Sequence, residues 1–403
     1  MTALRPAVVL GGRTNALSVA RGLGRRGVPV HAVGDAESVV RHSRYCTRFV
    51  PIEPGEPQPQ YLRLMRDVLP RGAMVIPCDD DSLELIARSR DEITSFGLHP
   101  IHASDGAVLD LLDKERTYEI ARRAGVGAPR TITLRTEDDL EQALREIGVP
   151  CALKPLHIHE FARVFKRKVF LIRDAEMLRR AFARTSEHGF EMLLTEIVQG
   201  GEDRYWSYYT YIDESGRPLC NFTKRKLRQH PYGFGGATYH VTAWDPEVAD
   251  AGLRLIAEAG VRGVACVEFK RDVRDDGLRL IECNSRVTAA NELMRLAGID
   301  LGSIAYASTL GLRVPADRGF KEGVRLWYPL QDVLAFREGR DRGELTMGTW
   351  VRSLAHRQAF PTLSVRDPLP GMVEAVKLPG RVQSIMRRNG AGGTDSSSPE
   401  AEI

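Results

Sequence analysis

Lysine is scarce in this 403-residue chain: only nine of its 57 basic residues are lysine. No cysteine pair has CxxC spacing, and no apolar run reaches the roughly 20 residues that a helix needs to span a bilayer. Each absence excludes something. The six cysteines (Cys46, Cys78, Cys151, Cys220, Cys266, Cys283) lie mostly inside apolar runs such as VIPCDD and GVACVEF. Buried, reduced thiols are therefore expected, and neither a zinc site nor a disulfide framework is. With no spanning run and no charged-then-apolar leader, the expectation is a cytoplasmic protein without a membrane partner. A net charge of +4 gives no field that calls for a nucleic acid. What is present, 43% hydrophobic and 27% charged residues, is the composition of a globular protein of two or three domains.

The order of the chain is set by alternation. PAVVLGG (6–12) reads as an apolar strand, TNALSVARGLGRRG (14–27) has helical spacing, and VPVHAVG (28–34) returns to strand. AMVIPCDD (73–80) and SLELIARSRDEI (82–93) repeat the strand-helix unit, so about the first hundred residues predict a small parallel α/β domain. Gly11-Gly12 invites a nucleotide loop, but GGRTNA lacks GxGxxG and no acidic residue closes the second strand before Asp35. A tight strand-to-helix turn is the plainer reading. In CDDDS (78–82), Asp80 or Asp81 is placed to bind an amine, or Asp81 or Ser82 to cap the helix.

From about residue 106 the texture changes. DKERTYEIARRAG (113–125) starts on a capping Asp113, EDDLEQALREIG is a second helix, and VPCALKP (149–155) is an apolar strand with one lysine, Lys154. Further on come EMLLTEIVQGGED (191–203), WSYYTYID and a hairpin-like GRPLCNFTKRKLRQ. The helix DPEVADAGLRLIAEAG follows, with Asp245 as cap, Pro246 in its first turn and Gly260 as its stop. YGFGGATYH (232–240) reads as a flexible glycine-rich segment that closes over the acceptor, or as a plain loop. WVRSLAHR and VEAVKL suggest more α+β structure beyond 315, and 389–403 has the composition of a solvated tail.

Seven of the nine lysines (Lys114, Lys154, Lys166, Lys168, Lys224, Lys226, Lys270) fall between residues 114 and 270, ahead of LIECNSR (280–286). That segment reads as a strand with Glu282, Asn284 and Arg286 on one face. It is joined to GVACVEFKRDV (263–273) by the hairpin signal RDDG. A two-residue turn puts Glu268 on the opposite face. A three-residue loop, with Gly277 left-handed, sets Glu268 opposite Asn284 and Lys270 opposite Glu282, so that three oxygen ligands converge. Two carboxylates and an amide on one sheet face suit magnesium, and Arg286 one step on suits a developing oxyanion. The alternative is a polar strand whose charges pair with one another.

These features, in this order, resemble the ATP-grasp superfamily, and within it the carboxylate-amine ligases, over residues 5 to 310. The resemblance implies an N-terminal Rossmann-like pre-ATP-grasp α/β domain over 1–105. A two-lobed α+β ATP-grasp fold follows over 106–315, with lobes of about 106–195 and 196–315, then an α+β segment over 316–388 and a disordered tail. It implies ATP and two Mg2+ ions, with Mn2+ as a substitute. Lys114 and Lys154 in LKP would contact phosphates, while Glu196 and the backbone at Val198 would meet adenine, and Asp203 or Glu202 the ribose. Lys226 would reach the γ-phosphate. Glu268, Glu282 and Asn284 would hold metal, and Arg286 would act in the transition state. The reaction implied is ADP-forming activation of a carboxylate as an acyl phosphate, then attack by an amine; the protein partner implied is a second copy in a homodimer.

The sequence departs from the family where a glycine-rich loop usually follows the strand lysine. LHIHEFARVFKRKVFL has no glycine, and Lys168 with its basic neighbours is the candidate replacement. His157 and His159 there read as phosphate or substrate contacts or as plain loop histidines. Two other readings stay open: carboxylation through carboxyphosphate, and a nucleotide-binding module without chemistry.

Overall fold

The computed structural model describes residues 4–156, 161, 164–165, 167–314 and 316–377. His157, His159, Lys166 and the expected tail at 389–403 lie outside them.

The first sheet is parallel throughout. Its strands β1 (Ala7–Leu10), β2 (Val30–Asp35), β3 (Arg48–Ile52), β4 (Met74–Pro77) and β5 (His99–Pro100) lie in the order β3-β2-β1-β4-β5. AVVL and MVIP are wholly buried because apolar groups cover both faces. Ala7, Val9, Met74 and Ile76 point into one core, Val8, Leu10 and Val75 into another with Tyr61 and Leu85. The first of these cores runs on without a break to Tyr209, Phe222, Cys266 and Met294.

Gly11 and Gly12 both have positive φ (66° and 73°), and a Cβ on Gly11 would overlap the Asp79 carboxylate. Asp79 also accepts a hydrogen bond from Gly12 N (3.2 Å). The chain's own carboxylate thus fills the place a dinucleotide phosphate would take, so the turn is a tight strand-to-helix connection. Asp79, not Asp81 or Ser82, caps the helix Asp80–Ser95, with Ser82 as the reciprocal partner of a capping box.

The second sheet is antiparallel, with β6 (Thr131–Leu134), β7 (Cys151–Pro155), β8 (Phe170–Ile172) and β9 (Met192–Glu196) in the order β6-β9-β7-β8. Cys151 and Leu153 pack with Leu140, Ala143, Leu178 and Ala181 of the helices Asp138–Ile147 and Ala175–Ser186. Alternation then puts Lys154 on the other face, opposite Leu193.

The third sheet has seven strands: β10 (Tyr205–Ile212), β11 (Pro218–His230), β12 (Gly236–Thr242), β13 (Gly263–Arg271), β14 (Leu278–Asn284), β15 (Arg325–Trp327) and β16 (Gln358–Ala359). Their order is β14-β13-β10-β11-β12-β15-β16. The helix Pro246–Glu258, capped by Asp245, contributes Val248 and Leu255 to a core with Tyr208, Val267 and Leu280. Two expectations change here. The segment read as hairpin-like is one thirteen-residue strand, paired with β10 across a turn at 213–217. The second half of the expected glycine-rich loop is β12. Among the described residues, no helix is long and apolar enough to cross a membrane. All six cysteines are free, and all but Cys46 are buried.

Candidate active site

The β13–β14 hairpin has a register that neither short loop predicts. Arg271 pairs with Leu278 across a loop of residues 272–277, and its left-handed residue is Asp276 (φ 56°), not Gly277. That pairing alone would turn Glu268 away from Glu282. Instead the register shifts between Glu268 and Phe269, leaving Ile281 as a bulge, and from there on Glu268 faces Glu282 and Cys266 faces Asn284. Lys270 lies opposite Arg279, not Glu282. The core records the switch: Leu278 and Leu280 point inward before the bulge, Cys283 after it. The three oxygen ligands therefore share a face, with Glu268 and Glu282 as the direct pair.

Register carries that face across the sheet in one row, Glu282–Glu268–Ser207–Lys224–Thr242. Lys226 Nζ donates to Glu268 Oε1 (2.7 Å) and to Gln229 Oε1 (3.0 Å) and lies 4.7 Å from the Tyr205 ring centre. Asn284 Nδ2 donates to Glu282 Oε1 at 3.1 Å. Two carboxylates directly opposite each other repel, and only one of them has a lysine. That imbalance, together with an all-oxygen donor set, fits a hard divalent cation held by Glu268, Glu282 and Asn284. Among the described residues no group of three His, Cys, Asp or Glu side chains forms a separate metal cluster.

A cleft of about 1180 Å³ opens over this face. Lys114, Lys154, Lys168, Lys224 and Lys226 line it together with Glu268, Glu282, Asn284 and Arg286. Lys114 Nζ donates to the carbonyls of Pro155 (2.9 Å) and Leu156 (3.3 Å), at the end of Lys154's own strand. Burial, and next the charge of Lys154, pull Lys114 down to about 7, and burial lowers Lys154 as well. Burial likewise brings Lys224 down to about 8. Such cations are held ready for an anion.

Arg286 reaches across to the helix Asp80–Ser95 that follows β4, where its guanidinium grips Asp80 with two hydrogen bonds. Burial works against the charged guanidinium, yet the Asp80 carboxylate holds it above its ordinary range. Asp80, weighed from the sequence as an amine ligand, is thus the partner of Arg286, and no local pattern could have shown a contact 206 residues apart.

The residues expected at adenine and ribose stand beside the cleft instead of lining it. Glu196 accepts from Arg130 Nε (3.0 Å) and Arg274 Nη2 (3.5 Å). The carbonyl of Val198 accepts from Lys270 Nζ (3.0 Å). Glu202 accepts from Gly233 N (3.3 Å), and burial raises its pKa; Asp203 follows it in a short 3-10 turn. Sequence reasoning assigned no role to Lys224 or His240. The two-residue spacing of Lys224 and Lys226 on one strand was the available signal.

No family model matches the chain. It is 24% identical over 282 residues to the carbamoyl phosphate synthase large chain of Vibrio vulnificus, covering 68% of this chain and 25% of that one. It is 23% identical over 245 residues to the D-alanine–D-alanine ligase of Stutzerimonas stutzeri, covering 53% of this chain and 73% of that one. Biotin carboxylase from Campylobacter jejuni superposes with a TM-score of 0.63 at 15% identity, covering 81% and 75% of the two chains. N5-carboxyaminoimidazole synthetase from Staphylococcus aureus complexed with ADP gives 0.62 at 13%, covering 81% and 82%. These relatives and structural neighbours are all members of the ATP-grasp superfamily. The chain spans about a quarter of the length of the carbamoyl phosphate synthase large chain it matches. The structural likeness carries the fold, and the reaction has to be argued from the cleft.

Proposed function

We propose that this chain is an ATP-grasp enzyme, an ATP-dependent ligase that joins a carboxylate to an amine through an acyl phosphate, releasing ADP and phosphate. The observation that carries the reading is one cleft lined by Lys114 of the helix Lys114–Arg123 and Lys154 of the second sheet together with Glu268, Glu282, Asn284 and Lys226 of the third. In this proposal the parallel sheet belongs to a pre-ATP-grasp domain, and the other two sheets are the lobes that enclose the nucleotide.

Lys114 and Lys154 hold the phosphates by charge. Glu268, Glu282 and Asn284 would hold Mg2+, as two ions with Mn2+ able to substitute, and when bound that metal would supply charge neutralisation to a transferring phosphoryl group. Lys226, paired with Glu268 and lining the same cleft, orients the terminal phosphate. Arg286, fixed by Asp80, presents a rigid fork to the charge that develops as the carboxylate attacks. No enzyme nucleophile is required, because holding the reactants in line supplies much of the rate.

Carboxylation through carboxyphosphate is the second reading, favoured by the biotin carboxylase and N5-carboxyaminoimidazole synthetase neighbours. ADP release with Mg2+, ATP and a panel of carboxylates, with hydroxylamine as the amine, separates the two. A hydroxamate formed with one acid supports the ligase; ADP formed only with bicarbonate supports carboxylation. ATP binding with no ADP from any substrate counts against both.

A further inference from the structure

Lys224 and His240 are polar, 2% exposed and lacking what each normally has when buried. Among the described residues Lys224 has no hydrogen-bond or ion-pair partner, and its one specific contact is the Tyr209 ring, 5.8 Å away. Its nearest carboxylate in the row, Glu268, is already engaged by Lys226 at 2.7 Å and Ser207 at 3.4 Å. Both ring nitrogens of His240 are buried without a partner. The imidazole is held neutral by burial, then by the charges of Lys224 and Lys226. Leaving such groups buried and unpaired is costly, so their positions point to a ligand.

The two lie together. His240 is the register partner of Lys226, Lys224 is that of Thr242, and both side chains line the cleft. We propose that Lys224 and His240 form the seat of the substrate's carboxylate, a role that rests on the ligase reading above. The seat offers one cation and one neutral N–H, which matches a single negative charge on two oxygens. Two strand spacings, roughly 10 Å, separate the backbone of Lys224 from that of Glu268, which leaves room for a phosphoryl group between seat and metal ligands. Tyr209, Tyr328, Thr288 and Ala289 line the cleft beside it. The acid that fits therefore carries an apolar or planar body next to its carboxylate.

The test is nitrogen NMR of the full chain labelled in histidine, with the His240 signals assigned by their loss in His240→Gln. Acetate, benzoate and inorganic phosphate serve as probes, with and without Mg-ADP. Either carboxylate is expected to shift the His240 signals saturably, and Lys224→Met to weaken that binding about ten-fold or more, as for loss of a charged hydrogen bond. Calorimetry of Mg-ADP is expected to give the same affinity in wild type and both variants. Three results overturn the seat: His240 signals that no carboxylate moves, phosphate binding tighter than either carboxylate, or Lys224→Met weakening Mg-ADP as much as acetate. Failure of the wild type to bind Mg-ADP would sink the ligase reading alone, since the titration without nucleotide still reads the seat.

Discussion

Arg286 and Asp80 are joined by a two-pronged ion pair, whose Nη2–Oδ2 bond is 2.9 Å, between the end of β14 and the first turn of the helix Asp80–Ser95. The pair fixes the plane of the guanidinium from a helix outside the sheet that carries the metal-type ligands. A lysine keeps the charge but not the fork.

Arg286→Lys should therefore lower ADP release in the hydroxylamine assay by a factor of about 100 or more, corresponding to roughly 3 kcal/mol of lost transition-state stabilisation. Mg-ADP affinity by calorimetry should stay close to wild type. Asp80→Asn should lower kcat less, leaving the KM for ATP unchanged, because in this proposal Asp80 acts by positioning the arginine. Turnover of Arg286→Lys within about three-fold of wild type would remove Arg286 from the proposed chemistry.

The direct pairing of Glu268 with Glu282 makes a prediction about metal. Glu282→Gln removes the carboxylate that has only an amide partner, so it relieves repulsion in the free protein while removing a ligand. The variant should melt at or slightly above the wild-type temperature without metal, yet need at least ten-fold more Mg2+ for half-maximal ADP release. Magnesium titrations at fixed ATP read the second effect. An unchanged magnesium requirement would show that Glu282 is not a ligand.

Lys114 gives a pH dependence with two opposite arms. In the free protein its amine loses its proton as pH rises through about 7, and polyphosphate prefers the protonated form. Mg-ADP binding should hold steady below that pH and weaken above it, by at most ten-fold per pH unit for one proton. Stability runs the other way. Between about 7 and the ordinary lysine value near 10.4 the unfolded chain binds more protons at this group than the native one, so Lys114 adds stability as pH rises through that window. Calorimetry from about pH 6 to about pH 9 on wild type and Lys114→Met checks this, and the same pH profile in both proteins would refute it.

What the sequence made legible was local. Capping by Asp113 and Asp245, the alternation that places Lys154 opposite the helices, and the gathering of Glu282 and Asn284 on one face all follow from spacing within a single element. What it hid was relational. A bulge at Ile281 leaves no trace in composition, so the loop read as three residues is longer and Glu268 meets Glu282 instead of Asn284. The Arg286 partner lies in a helix 206 residues away, and the orphaned nitrogens of His240 are visible only once its neighbours are in place. The cores explain the same limit for the fold: one cluster joins Val9 to Met294 and Leu326, a continuity that no window along the chain can show.

A second bulge, at Leu227, decides where the next arginine goes. Lys226 faces His240 and stays in the cleft, whereas Arg228 faces Tyr239 and turns to the other side of the sheet. There it meets Asp332, which is wholly buried and accepts five hydrogen bonds. Arg228 gives two at 2.8 Å, Thr238 one at 2.8 Å, and the indoles of Trp327 and Trp350 one each at 2.9 Å. Through this one carboxylate the helices Pro329–Asp341 and Met347–Ser353 are fastened to the strand that carries Lys226. Asp332→Ala leaves a buried guanidinium and two indole N–H groups without their acceptor, so urea unfolding should show a loss of roughly 3–5 kcal/mol. Replacing both partners, Arg228→Met with Asp332→Leu, should recover most of that loss, since apolar groups need no acceptor. The double variant should nonetheless fall short of wild type in ADP release, because Lys226 then sits on a strand no longer anchored from behind. A single variant as stable as wild type would mean that water or another group takes over the role assigned here to Asp332.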